Sequence, residues 1–326
     1  MSSLETTNYV SLVGGLGNQL FQYAEARSAT PKQELVLLDQ FQSEGSGGLK
    51  SMDLYDFSLY NARRGHLECR FTKLFKLSHN LILRLSNSKE KAAPLRHIGS
   101  VLQSLVIYFT QVFFLENVQI QAQPSLGKFP RKKRNLKKNS LQIGYFQHCA
   151  WVDNLDIVEK LENLSLKTET SNLLKHKKEY EELDFLAVHM RFGDYLNENS
   201  FGVPGKRYYK DSLALHLNVR KYEGIVLFTN DEQLAKEKFS NLTDIPTAII
   251  STDSGLTASE NLELMRLAKG FIIANSTFSW WGAFLSREKN CLVTYPSPWF
   301  SGLADPPKLF PERWVGVKFD DEKQNT

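Results

Sequence analysis

The chain is poor in the features that mark unusual protein classes. Only three cysteines occur in 326 residues, Cys69, Cys149 and Cys291. Their number is odd, their spacing is wide and no CxxC pair is present, which argues against a disulfide framework and a structural zinc site. They read as free thiols in a reducing compartment. Long hydrophobic runs are missing too: the longest apolar-leaning stretch, Val101 to Leu115, is interrupted by Gln103 and Gln111 and is short for a bilayer span. The opening MSSLETTNYV has no basic segment leading into an apolar one and does not read as a secretory signal. No repeat of fixed period is visible. The expectation is a soluble cytoplasmic protein, at most peripheral at the inner face of a membrane.

Acidic residues are scarce in one block. Residues 62–138 hold sixteen Lys/Arg and three Asp/Glu, a local charge of +13, although the whole chain has 40 basic and 36 acidic residues and a net +4. The remainder is therefore −9, from twenty-four basic and thirty-three acidic residues. A basic block of this kind can meet a nucleic acid, an anionic membrane or water. No recognisable nucleic-acid-binding module accompanies it, so no nucleic-acid partner is expected.

With 42% hydrophobic and 23% charged residues the composition is that of a globular protein. The length predicts about two domains, with boundaries placed at residues 1–165 and 166–326. Strand-like runs at Tyr9–Val13, Leu35–Leu38, Leu141–Phe146, Phe185–Val188, Gly224–Thr229, Thr247–Ile250, Gly270–Ala274 and Cys291–Tyr295 punctuate the chain. Helical stretches at Tyr208–Tyr222, Glu232–Phe239, Ser259–Lys269 and Trp280–Ser286 separate the later ones. This alternation predicts an α/β protein with parallel sheets. Residues 50–140 show no such alternation. Lys128–Lys138 reads as an exposed charged loop, Glu159–Glu182 as largely charged and helical, and Asp320–Thr326 as a frayed tail.

The chemistry collects in turns that follow strands. Gly14-Gly15-Leu16-Gly17-Asn18-Gln19 leaves the first strand and opens a helix. Its glycines suit either a tight turn or close approach of a ligand to backbone N–H groups. It is neither a dinucleotide fingerprint nor a P-loop. Asn18 and Gln19 are neutral polar groups at the same lip, suited to a sugar or phosphate. His189-x-Arg191-x-Gly193-Asp194 ends another strand, where open α/β sheets bind ligands. Arg191 can fork onto a phosphate, or pair with Asp194 to brace the turn. Thr229-Asn230-Asp231 follows Ile225–Phe228; its carboxylate suits a nucleoside or caps the next helix. Asn275-Ser276-Thr277-Phe278-Ser279 sets hydroxyls at a helix start, for capping, for phosphate, or for both. Trp280 and Trp281 are expected in the core beneath.

The strings GGLGNQLFQYA, HMRFGDY, FTND and ANSTFSWWGAFLS resemble, in order and spacing from residue 10 to about 295, the signature motifs of the α1,2-fucosyltransferase family. The resemblance implies a GT-B fold, two Rossmann-like domains facing across a cleft, with an acceptor side in residues 1–165 and GDP-fucose binding in 166–326. It implies an inverting transferase moving L-fucose from GDP-fucose to the 2-hydroxyl of a galactoside, with no metal or other cofactor. The acceptor would be a galactose-containing oligosaccharide or a lipid-linked glycan. The resemblance implies that Arg191 would hold the β-phosphate with His189 beside it, that Asp231 or Asn230 would lie near the nucleoside, and that Ser276, Thr277 and Ser279, after Asn275, would contact the diphosphate. Gly15, Gly17 and Asn18 would lie near the fucose. Candidates for the acceptor's base are Asp194, His189 and Glu198. The family pattern usually carries two adjacent arginines, HxRRGDY, and here the second is Phe192. The first helix, with only Arg27–Glu34 before the next strand, is expected to be short.

Overall fold

The computed structural model describes residues 6–41, 44–45, 48–49, 52–86, 93–115, 118–123, 139–197, 201–301, 305–306 and 308–319. The Lys128–Lys138 run, Glu198 and the Asp320–Thr326 tail lie outside the described residues. Contacts divide the chain into two compact units, Met1–Leu164 with Pro306–Phe310, and Ser165–Asp305 with Pro311–Thr326. The short Pro306–Phe310 segment belongs with the first unit: the Lys308 carbonyl accepts from the Cys149 N–H at 2.8 Å.

The first unit runs β1 (Asn8–Ser11), α1 (Leu16–Ala29), β2 (Leu35–Leu38), β3 (Glu44–Gly45), β4 (Gly48–Leu49), β5 (Ala62–Arg64), α2 (Thr72–Ser86), α3 (Ala93–Phe114), β6 (Val118–Ala122), β7 (Asn139–Ile143) and α4 (Leu155–Glu162). Its main sheet has the order β5-β2-β1-β7-β6 and every pairing is parallel. β3 and β4 form a separate antiparallel ribbon. β2 is the continuous apolar run Leu-Val-Leu-Leu because a parallel strand covered on both faces has no solvent side. The core between sheet and helices gathers Val36, Leu38, Phe75, Ile82, Ile120 and Ile143. Residues 50–140 thus hold two strands and two long helices that the sequence pattern does not announce. α1 is not short: it reaches Ala29, and five residues turn the chain into β2.

The second unit continues with α5 (Ser171–Tyr180), β8 (Phe185–Met190), α6 (Asp194–Asn197), α7 (Lys206–Val219), β9 (Gly224–Thr229), α8 (Glu232–Phe239), β10 (Thr247–Ile250), α9 (Ala258–Met265), β11 (Gly270–Ile272), α10 (Thr277–Phe284), β12 (Val293–Ser297) and β13 (Val315–Lys318). The sheet order is β10-β9-β8-β11-β12-β13, all parallel. This is the doubly wound order, in which the chain first builds outward on one side of β8 and then returns to build on the other. The protein is therefore an α/β protein with two Rossmann-like domains, the pair of folds that defines the GT-B class. The helical stretch expected over Glu159–Glu182 is made of two helices, α4 and α5. Thr170 ends the break between them by capping α5 through a bond from the Leu173 N–H.

Each unit buries a histidine. Burial holds His79 down to about 4; its Nε2 lies 2.7 Å from Ser11 Oγ and its ring stacks on Phe41. His216 is likewise pushed down to about 4 by burial, between the Tyr222 hydroxyl and Thr294. Both are neutral in the folded state, whereas an unfolded histidine titrates near 6.5. Below that pH the unfolded chain binds more protons, so stability is full above about 6.5 and falls as the pH drops toward 4. Linkage gives roughly 2 kcal/mol lost per histidine by about pH 5. Denaturant titrations at pH 7.5 and 5 are expected to show this loss, and His79→Gln is expected to remove part of it.

Candidate functional site

The change of direction in the second sheet occurs between β8 and β11. In open α/β sheets the loops leaving the C-terminal ends of two such strands diverge, and ligands bind there. The β8 end carries His189 and Arg191, and the β11 end carries Asn275, Ser276 and Thr277. β9, beside β8, ends in Thr229-Asn230-Asp231.

These loops are bonded to one another. Asn230 Oδ1 accepts from the Phe192 N–H at 2.8 Å, tying the β9 loop to the β8 loop. Gly193 has φ +67°, and a Cβ built there would sit 2.8 Å from Asn230 Nδ2, so both the backbone conformation and the space require glycine. Tyr195 donates its hydroxyl proton to the Asn275 carbonyl at 3.1 Å, and its ring lies 5.5 Å from the Arg191 guanidinium carbon. The Asn275 amide donates to the carbonyls of Phe201 and Gly202 at 2.8 and 3.2 Å. From below, two tyrosines of α7 reach the strand ends: Tyr209 donates to the His189 carbonyl at 3.2 Å and Tyr208 to the Ile273 carbonyl at 2.6 Å. Tyr195, Tyr208 and Tyr209 are not singled out by the motifs, although Tyr195 stands in HMRFGDY itself and the adjacent Tyr-Tyr pair opens a helix.

The electrostatics are simple. His189 is buried and pushed down to about 3, first by burial and then by the charge of Arg191, so it is a neutral imidazole near pH 7. Its Nδ1 and the Oδ1 of Asn275 are buried without a hydrogen-bond partner. A buried polar atom left unmet costs about 1–3 kcal/mol, so both atoms call for water or a ligand. Arg191 is half-buried and brings positive charge to the rim. The N-cap residue of α10 is Ser276, whose side chain makes no capping bond, and no acid stands in the helix's first turn. The N-terminal N–H groups of α10 and its dipole therefore favour an anion. α8, by contrast, is closed by Asp231, whose carboxylate accepts from the Leu234 N–H at 3.0 Å.

Several candidates fall into supporting positions. Ser279 is fully buried and its hydroxyl lies 3.2 Å from the Ser276 carbonyl, so it belongs to the turn's interior and not to its ligand face. Trp280 and Trp281 are core residues, as expected. Phe192 packs among Val188, Met190, Val203 and Tyr209, so this position points into the core. The Asp194 side chain lies outside what is described. Among the described residues no three His, Cys, Asp or Glu side chains are grouped to hold a metal ion.

In the first unit the glycine turn is built as the sequence implies. Gly14 has φ +80°, and a Cβ there would meet Asn18 Nδ2 at 2.6 Å. Gly15 is the N-cap residue of α1, and a Cβ at that position would have nothing within 4 Å. Gly17 is buried in the first turn, and Asn18 accepts from Gln147 Nε2 at 3.1 Å. Gln19 is not at the lip: it is buried, donating to the Gly14 carbonyl and accepting from the Leu54 N–H. Gln22, inconspicuous in the sequence, braces the same turn through both the N–H and the carbonyl of Val13.

The switch-point loops of this doubly wound domain offer a guanidinium, an uncapped helix start and two unmet polar atoms, groups suited by their chemistry to a phosphorylated ligand. The family profile described as "Glycosyl transferase family 11" matches residues 7–318. The chain belongs to this glycosyltransferase family, which is α1,2-fucosyltransferase-like. The O-antigen biosynthesis glycosyltransferase WbnK of Escherichia coli is 28% identical over 332 residues, covering 95% of this chain and 100% of the relative. An alpha-1,2-colitosyltransferase of Escherichia coli is 27% identical over 322 residues, covering 94% and 97%. Among solved structures, the fucosyltransferase NodZ from Bradyrhizobium is 12% identical with a TM-score of 0.49, covering 86% of this chain and 94% of its own.

Gly193→Ala forces a side chain into a left-handed turn against Asn230. A loss of about 1–3 kcal/mol in unfolding free energy is expected, read by denaturant titration. Gly15→Ala, with ordinary backbone angles and open space, is expected to stay within about 0.5 kcal/mol of the parent.

Proposed function

We propose that the protein is an inverting, metal-independent fucosyltransferase that moves L-fucose from GDP-fucose to the 2-hydroxyl of a galactoside. The observation that carries this reading is the β8–β11 switch point. Arg191, the N-terminus of α10 and the neutral His189 converge there, in a chain whose family and motifs are α1,2-fucosyltransferase-like. Fold class alone would not name the reaction.

In this mechanism the diphosphate leaves as GDP. The guanidinium of Arg191 and the first N–H groups of α10 stabilise the negative charge that develops on it, the role a cation otherwise fills. Preorganised donors of this kind are worth about 3–4 kcal/mol each when removed. His189 contributes a hydrogen bond and not a charge, because burial keeps its imidazole neutral. An imidazole held near 3 is a weak base, which counts against His189 as the group that deprotonates the acceptor. The name of WbnK supports a glycan acceptor of the O-antigen kind, and a cytoplasmic setting, where nucleotide sugars are made, goes with this reading. A second reading, a donor carrying another sugar, has one observation behind it: a relative of similar identity is named for colitose.

Arg191→Ala is expected to lower turnover at least about a hundredfold with the melting curve unchanged. Near-normal activity in that folded variant would refute the assignment. Activity is expected to persist in EDTA; loss that Mn²⁺ restores would overturn the metal-independent mechanism. Transfer assays with GDP-fucose and competing GDP- and UDP-sugars, followed by linkage analysis of the product, test donor and bond together. We also propose a substrate role for the glycine turn of the first unit: Gly15→Ala is expected to reduce kcat/KM while leaving stability intact.

A further inference from the structure

The helix pair α2–α3 of the first unit has an outer surface that its fold does not explain. α3 is apolar on two sides. Toward the sheet it sets Val106, Ile107 and Phe114 against the core. Away from it, Val101, Leu105, Tyr108, Phe109, Val112 and Phe113 are all more than half exposed. At about 100° per residue these six positions fall within an arc of about 140° on the helix. α2 packs against α3 and repeats the pattern, burying Phe75 and Ile82 while exposing Leu74, Leu77 and Leu81. Single exposed apolar residues are ordinary, but two adjacent helices that each expose an apolar stripe are not.

Charge selects the occupant. Neither helix contains one Asp or Glu. Lys73, Lys76 and Arg84 are exposed on α2. Lys73 and Arg84, eleven residues and so about three turns apart, run along the border of the Leu77–Leu81 stripe. A second copy of this surface would bring the same bases together with no acid on either helix to pair with them. A bilayer with anionic headgroups satisfies both features: the apolar arcs enter the boundary between headgroups and chains, and the basic border meets phosphates. α3 does not cross such a bilayer, since no helix among the described residues is long and apolar enough to do so.

We propose that the α2–α3 face is an interfacial docking surface for an anionic phospholipid bilayer, lying on it without spanning it. The inference does not depend on the transfer reaction. It is tested on the full-length protein by co-sedimentation with vesicles of phosphatidylcholine alone and of phosphatidylcholine with phosphatidylglycerol, at low and high salt. Partition into the anionic vesicles is expected to exceed that into neutral ones by at least about tenfold and to weaken with salt. Leu105→Glu/Phe109→Glu, at half-exposed positions of the outer stripe, is expected to lower partition at least about tenfold, with circular dichroism and the melting curve checking that the fold is kept. Lys73→Ala/Lys76→Ala/Arg84→Ala is expected to remove most of the salt dependence. Three results would overturn the proposal: no binding of the parent to anionic vesicles, equal binding of parent and glutamate variant, or, in place of vesicle binding, a dimer that the glutamate variant dissociates. No sugar donor enters the assay, so failure here leaves the fucosyl reading untouched, and failure of the transfer assays leaves this one standing.

Discussion

The ladder of β8 against β9 on one side and β11 on the other is the constraint on which the second unit depends. β8 is buried along its whole length, so its six residues read Phe-Leu-Ala-Val-His-Met with no polar alternation until the strand ends. Because both neighbours are parallel to it, three loops emerge at the same edge. The side chains that could meet a ligand come from segments more than eighty residues apart and need no long-range folding of their own. Asn230, Tyr195 and Asn275 convert this proximity into fixed geometry by bonding loop to loop through backbone groups.

Among the described residues, the half-buried Arg191 guanidinium and the start of α10 bring positive charge to the candidate site, and the histidine beside them is kept neutral. This division has a physical logic. A second cation as deeply buried as His189 would lack an anionic partner whenever the site stood empty, and desolvating an unpaired charge is costly. A neutral imidazole can instead remain buried and offer a hydrogen bond. The tyrosines of α7 add to this: their hydroxyls donate to the His189 and Ile273 carbonyls near the strand ends.

The site is legible in the sequence because it lies where strands stop. Glycine, asparagine and arginine after apolar runs are conspicuous, and the motif strings carry both order and spacing. What spacing does not decide is the use of each polar group. Asp231 and Ser279 are suited by type to either a ligand or a helix start, and only hydrogen-bond partners separate the two; Gln19 looks like a lip residue because it follows Asn18 directly in the turn. The first unit is harder to read for different reasons. β5 is Ala-Arg-Arg on a sheet edge, with both arginines exposed, and β6 is Val-Gln-Ile-Gln-Ala, which mimics a polar loop. α2 and α3 bear apolar residues on inner and outer faces, which blurs the one-sided period by which a helix is recognised.

Phe192 shows how a chain can depart from its family's pattern without damage to the fold. Its backbone N–H serves the site by fixing Asn230, while its side chain serves the interior, among Val188, Met190 and Val203. The two halves of one residue thus answer to different demands. An arginine at this position would have to abandon the core or carry a guanidinium into it. The sequence can drift at this point only among apolar side chains of similar volume, and the anchoring of the neighbouring loop survives any of them, because it is made by an atom that every residue except proline possesses.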